Sequence, residues 1–322
     1  MRLKLVPDNT SWDFFGRLPI TLGFSGVLFV GSILAFLFIG LNFGIDFRGG
    51  TTIRTEAKVE IDVGAYRDAI TPLGLGDVAI SEVFDPSFDE DQHVAMVRIQ
   101  AQGAEESVSP ETIRAVEDAL RAVAPEIRFA SVESVGPKVS GELIMTAIYS
   151  VLAAMAAVLV YIWLRFEWQF AVGAVAALVH DVIITIGIFA VFQIPFDLAI
   201  IAALLTIVGY SLNDTVVVFD RVRENLRRFK VMDLKDVLNV SINETMSRTL
   251  MTSGTTLVAL IALIVLGGDV IRGFVFAMTF GIVIGTYSSV FVASAVLLKL
   301  GVKRDWSKPD GEAGTQFADV DA

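Results

Sequence analysis

The chain has no cysteine, which removes disulfides, thiolate nucleophiles and Cys-ligated metals from consideration. Charge is scarce as well: 19% of the 322 residues are Asp, Glu, Lys or Arg, against 54% hydrophobic. A soluble domain of this size carries more charge and less apolar surface. Basic residues are outnumbered, 25 against 36 acids, which argues against a nucleic-acid binder because phosphate contacts need a basic surface. There is no phosphate-binding loop, nucleophile–base pair or metal-ligand spacing. No cofactor or metal is therefore expected, and an enzyme is the least favoured class.

What the sequence does have is long apolar runs of about 20 residues, the length that crosses a hydrocarbon core of roughly 30 Å. Six qualify, at 19–40, 143–164, 169–192, 196–219, 249–267 and 273–298. The first follows a polar N-terminus (1–18) and reads as a retained anchor rather than a cleaved signal, because no small-residue cleavage site follows it. Basic residues assign the sides. Arg2, Lys4 and Arg17 precede the first run, Arg165 lies between the second and third, and Arg221 to Lys235 fill the connector 220–248. Lys299, Lys303, Arg304 and Lys308 follow the sixth run, in and before a flexible tail (302–322), whereas the opposite loops hold a single basic residue. Both termini are thus expected in the cytoplasm, with a five-helix bundle at 142–301 and the segment 41–141 outside. That segment holds 18 acids and 9 bases, and a domain of its length crosses largely regardless of charge.

The external segment reads as strand, helix, strand, strand, helix, strand. GTTIRTE (50–56), VAISEVF (78–84), HVAMVRIQA (93–101) and IRFASVESV (127–135) alternate or are β-rich, while DVGAYRDAITPLG (62–74) and PETIRAVEDALRAVA (110–124) have helical spacing. The fold class is therefore an α-helical polytopic membrane protein with six spans, plus an extracytoplasmic α+β domain of ferredoxin-like βαββαβ order. His93, alone in a strand pattern, and the acidic turn Asp89, Glu90, Asp91 read as surface features, since calcium-loop spacing is missing.

Ionisable residues within spans are costly and mark function by default. Those here are His180 and Asp181 in the third run, Asn213 and Asp214 in the fourth, and Arg248 at the mouth of the fifth. Asp214 lies seven residues before Arg221, roughly 10 Å deep at 1.5 Å per residue, too far for a short carboxylate to snorkel easily. Thr252, Thr255 and Thr256 continue from Arg248 at helical spacing, a face able to hold water or relay protons. Simpler readings stand beside these: a snorkelling Arg248, an interhelical His180–Asp181 hydrogen-bond pair, and a neutral Asp214 acting as packing glue. The stretch KDVLNVSINETMSRT (235–249) reads as a helix-like cytoplasmic connector, with Ser241 and Asn243 as capping residues.

Five stretches carry a resemblance: GIDFRGGT (44–51), SVGPKVSGEL (134–143), YIWLRFEWQFAVGAVAALVHDV (161–182), GYSLNDTVVVFDRVRENLR (209–227) and SINETMSRTLMTSGTTL (241–257). Together, in this order, they resemble the SecF family of the bacterial protein-export machinery, over nearly the whole chain. The resemblance implies half of an RND-like arrangement, paired with SecD, acting with the SecYEG channel and in many bacteria YajC. The pair would use the proton-motive force to assist movement of unfolded preproteins across the inner membrane. It also implies that Asp214 is the critical carboxylate and Arg248 the critical arginine, whereas Asn213, His180, Asp181 and Thr252 are supporting polar candidates. The junctions to the external domain are Asp46, Gly49 and Gly50 on one side and Gly136 and Pro137 on the other, read as hinges. A small-molecule half-transporter and a passive scaffold are the competing classes.

Overall fold

The computed structural model describes residues 10–76, 78–89, 91–101 and 108–302. Arg2, Lys4, Glu90, the basic residues Lys303, Arg304 and Lys308, and all but the first residue of the expected tail lie outside the described residues.

Six long apolar helices carry the fold: α1 (Leu18–Phe38), α5 (Pro137–Arg165), α6 (Trp168–Phe192), α7 (Leu198–Arg228), α8 (Leu234–Leu266) and α9 (Asp269–Ser288). A π turn (Ser289–Ala293) and the short α10 (Ser294–Leu300) continue α9. Each of the six is long and apolar enough to span a membrane, so the chain is a multi-pass membrane protein. Three of them form the centre. Roughly half of the apolar windows of α6, α7 and α9 are buried (56%, 44% and 56%), against 11%, 6% and 17% for α1, α5 and α8. Small residues permit this packing. A Cβ on Gly281 of α9 would collide with Ile207 of α7, and one on Gly187 of α6 with Ser32 of α1.

Several helices outrun their apolar runs. α7 and α8 extend through most of 220–248 and leave only Phe229–Asp233 between them. An apolar count stops at the first charges, but a helix continues into water when its flank is packed. Here Val222 and Leu226 of α7 bury against Val237, Leu238 and Ile242 of α8, and Asn225 Nδ2 donates to Ser241 Oγ at 3.1 Å and to Glu244 at 2.7 Å. Ser241 and Asn243 are consequently not caps. Both lie inside α8, where Ser241 donates back to Val237 O at 2.7 Å. Asn243 instead holds the N-terminal segment, accepting from Trp12 N at 2.9 Å and donating to Trp12 O at 2.8 Å.

The external domain is a four-stranded antiparallel sheet, β1 (Gly50–Ala57), β2 (Val78–Val83), β3 (His93–Gln100) and β4 (Arg128–Val135), in the order β2-β3-β1-β4. With α3 (Val63–Ile70) after β1 and α4 (Pro110–Val123) after β3, this is the ferredoxin-like arrangement. Alternation sends Ile53, Val97 and Ile99 to one core with Tyr66, Ile70, Val116 and Leu120 of the two helices. Local chemistry sets the helix starts. Asp62 caps α3 by accepting from Gly64 N (2.8 Å) and Ala65 N (3.1 Å), and Ser109 caps α4 ahead of Pro110.

The domain meets the bundle at three places. The short α2 (Ile45–Arg48) leads in, and Asp46 Oδ2 accepts from Leu198 N at the start of α7 (3.0 Å). Gly136 caps α5 on the way out. At the tip between β2 and β3, Phe84 N donates to Asp269 Oδ2 at 2.7 Å while Asp269 N donates to Phe84 O at 2.8 Å, fastening the domain to the first residue of α9.

Candidate proton-coupling site

Asp214 is 4% exposed, in the middle of α7. Its Oδ1 accepts from Thr249 Oγ1 of α8 at 2.8 Å, and its Oδ2 faces Ser289 Oγ of the π turn at 3.4 Å. One carboxylate therefore ties three elements together. Each hydrogen bond to such a carboxyl, when it is ionised, is worth about 1.5–3 kcal/mol, and a buried polar group left without partners costs several. Thr215 beside it is also buried, and its hydroxyl lacks a partner among the described residues.

The sequence-expected residues divide. Arg248 and Thr252 are exposed on α8, and Asn213 is exposed on α7. No ion pair within 4.0 Å joins Arg248 to Asp214 among the described residues; Thr249, the next residue, makes the contact instead. Thr252 donates to the carbonyls of Arg248 (3.1 Å) and Thr249 (3.0 Å) on its own helix. Asn213, Arg248 and Thr252 thus border the carboxylate without touching it.

His180 and Asp181 are 5% and 1% exposed, near the middle of α6. His180 Nδ1 and Asp181 Oδ1 are 3.0 Å apart, and Asp181 Oδ2 accepts from Ser211 of α7 and Ser288 of α9, both at 2.7 Å. Sequence reasoning did not single out Ser211, Ser288, Ser289 or Thr249. The available signal was the consecutive pair Ser288–Ser289 inside an apolar run, and a hydroxyl directly after Arg248. The π turn that begins at Ser289 has no sequence signature of this kind; such turns are frequent at functional sites.

The Gly49–Gly50 junction is tighter than a hinge. Gly49 (φ 74°) and Gly50 (φ 140°) sit in backbone regions that favour glycine. A Cβ on Gly50 would strike Ile99 O, and one on Gly49 would lie 3.3 Å from Pro137 and Val135 O. Gly50 also pairs with both Gln100 and Val135 in the sheet. The corner is pinned on both sides, whereas Gly136 has open space around it.

The family described as "Protein export membrane protein SecD/SecF, C-terminal" matches residues 115–303, and the "SecD/SecF GG Motif" matches residues 34–60. The protein translocase subunit SecF of Cereibacter sphaeroides is 64% identical over 321 residues, covering 100% of this chain and 99% of its own. That of Vibrio alginolyticus is 42% identical, covering 95% of each. Among solved structures, the translocon-associated membrane protein SecDF from Thermus thermophilus superposes with a TM-score of 0.80 at 32% identity, over 92% of this chain. A second SecDF structure, in a super-membrane-facing form, gives 0.67 at 34% identity. The chain spans 39% of the length of each SecDF chain.

Proposed function

The chain belongs to the SecD/SecF family of protein export membrane proteins, and from that premise we propose that it is the half of a proton-driven export motor that carries the coupling carboxylate. It works beside SecD in the bacterial inner membrane, next to the SecYEG channel and YajC, on unfolded preproteins. Its basic N-terminal, 165 and 220–248 segments support a topology with both termini in the cytoplasm and residues 41–141 outside.

The single observation that carries the reading is Asp214: an ionisable group buried at span depth, held by hydroxyls from two neighbouring elements. Protonation would remove its charge and weaken its hold on Thr249 and Ser289, so α7, α8 and the end of α9 would repack. The nearby Arg248 would stabilise the ionised form when the bundle draws it in. Because Gly49–Gly50 is pinned, the external domain would move as one body with the helices rather than flex at that corner. One charge crossing 100 mV yields about 2.3 kcal/mol, so a few protons suffice per stroke.

Asp214→Asn is expected to abolish proton-gradient stimulation of preprotein translocation in proteoliposomes while the subunit still assembles with SecD. Wild-type stimulation by that variant would remove Asp214 from the mechanism and favour a passive scaffold.

A further inference from the structure

We propose that His180 and Asp181 form a second proton-binding site of the bundle, coupled to Asp214 through the adjacent hydroxyls of Ser288 and Ser289. The inference rests on the reading of Asp214 as a proton-binding carboxylate and adds a second site that answers to it.

The charge balance around Asp181 is the first argument. Facing the pair are Phe29 of α1, Ser211 of α7, and Gly285, Tyr287 and Ser288 of α9, with Val158 of α5 in the apolar cluster alongside. Helices α1 and α6 contain no Lys or Arg; α7 has none before Arg221, and α9 has only Arg272, near its outer end. Tyr287 is titratable, but its hydroxyl donates to Thr21 O at 2.8 Å and lies 3.0 Å from Ser25 Oγ. The cation positioned to balance an ionised Asp181 is therefore the imidazolium of His180. The pair holds a proton in either arrangement, as His⁺ with Asp⁻ or as neutral His with a carboxylic acid.

The second argument is an open position. His180 Nε2 is buried and has no hydrogen-bond partner among the described residues. Its ring stacks with those of Phe29 and Tyr287, at centroid distances of 6.4 Å to each. A buried polar network that is fully satisfied rigidifies its core, whereas a partly satisfied one leaves a group open. Here Asp181 has three neighbours with hydrogens to offer, and the histidine has one nitrogen left over, which is where a proton or a water would enter.

The third argument concerns Ser288 and Ser289, which are neighbours in sequence and face different carboxylates. Each hydroxyl has one hydrogen and two acceptors in reach. Ser288 Oγ is 2.7 Å from Asp181 Oδ2 and 3.1 Å from Gly285 O, so its carboxylate is the nearer partner. Ser289 Oγ is 3.4 Å from Asp214 Oδ2 and 3.0 Å from Thr286 O, so its own helix is nearer. The hydrogen of Ser288 is committed to Asp181, whereas that of Ser289 is shared between Asp214 and its own helix. The backbone widens into the π turn at this step, which lets the two serines exchange commitments without breaking α9. A charge change at either carboxylate alters what one serine offers, and the shared backbone passes that change to the next.

With two histidines in the chain, ¹⁵N-histidine NMR resolves the site directly. The labelled full chain, paired with unlabelled SecD in lipid, is titrated with His93→Gln used to assign the external signal. His180 is expected to gain and lose a proton in the course of the titration, and its midpoint to move by about half a pH unit or more in Asp214→Asn. That movement is expected to vanish in Ser288→Ala and Ser289→Ala, mild changes that keep α9 intact. A His180 signal that does not titrate, or one indifferent to Asp214→Asn, overturns the proposal. If Asp214→Asn abolishes proton-dependent translocation while His180 is indifferent, only this second site falls. If translocation in Asp214→Asn keeps its proton dependence, the function proposed above falls instead.

Discussion

The three inner helices and the three outer ones are built from similar apolar residues but solve different problems. α6, α7 and α9 pack on one another through buried small and polar residues, and among the described residues the buried ionisable groups of the six helices, His180, Asp181, Asp214 and Arg223, lie on α6 or α7. The most apolar stretches of α1, α5 and α8 are little buried and expose large apolar side chains such as Leu, Ile and Val. In hydrocarbon an exposed leucine costs nothing, so the outer helices need only stay apolar. A buried carboxylate must be met by donors, so the inner helices are specific. The lesson is that the site lies where the packing is close, and α8 enters it through one residue, Thr249.

That last point gives the strongest way to break the comparison. Thr249 and Thr252 are one turn apart on α8, one buried against Asp214 and one exposed on its own helix. Thr249→Val removes a hydrogen bond worth about 1.5–3 kcal/mol to a charged group, so proton-dependent stimulation is expected to fall roughly ten- to hundredfold. Thr252→Val is expected to leave it unchanged in the same proteoliposome assay. Equal losses in both would mean that the hydroxyl face of α8, rather than the inner contact, matters.

Packing offers the next test. Gly281→Ala places a methyl against Ile207 between two inner helices and is expected to cost about 1–3 kcal/mol. Gly26→Ala, on an open face of α1, should be neutral or stabilising by up to about 1 kcal/mol, from helix propensity. Thermal unfolding in detergent, followed by gel filtration, reads both. A costly Gly26→Ala would show that the outer face of α1 is packed after all.

The six long apolar helices and the βαββαβ order could be read from the sequence because each rests on a local signal: run length, alternation and caps. Asp214 could be read too, because charge at depth is conspicuous. Its partners could not. Thr249 and Ser289 are common packing residues whose role depends on which helix faces which, and sequence period does not fix that. The resemblance supplied Arg248 as the critical arginine, whereas the structure leaves it exposed beside the contact. The length of α7 and α8 was missed because apolar counts stop at charge, while Asn225, Ser241 and Leu238 hold the helices together beyond it.

The turn between the outer α5 and the inner α6 joins the two classes, and pH probes it. Burial pushes the carboxyl of Glu167 up to about 7, against the opposing pull of the Arg223 guanidinium. The folded state then binds this proton more tightly than the unfolded chain. Its contribution to stability is full below about pH 4.5 and is lost as pH rises through about 7. Glu167→Gln is expected to flatten that part of the stability–pH curve, measured as the thermal midpoint across this window. An unchanged slope would place Glu167 in water, with the turn open.

The smallest effect belongs outside the membrane, where water drives a conventional core of Ile53, Val97, Val116 and Leu120. Asp62→Ala strips the cap from α3, leaving Gly64 N and Ala65 N without their acceptor. The expected cost is about 1 kcal/mol, confined to the domain, and hydrogen exchange across 62–70 reads it as faster opening. Because the cap touches neither the pinned corner at Gly50 nor the fastening at Asp269, proton-dependent translocation should not change. If it did, domain stability and bundle coupling would be one quantity, and the three inner helices would no longer be a separable machine.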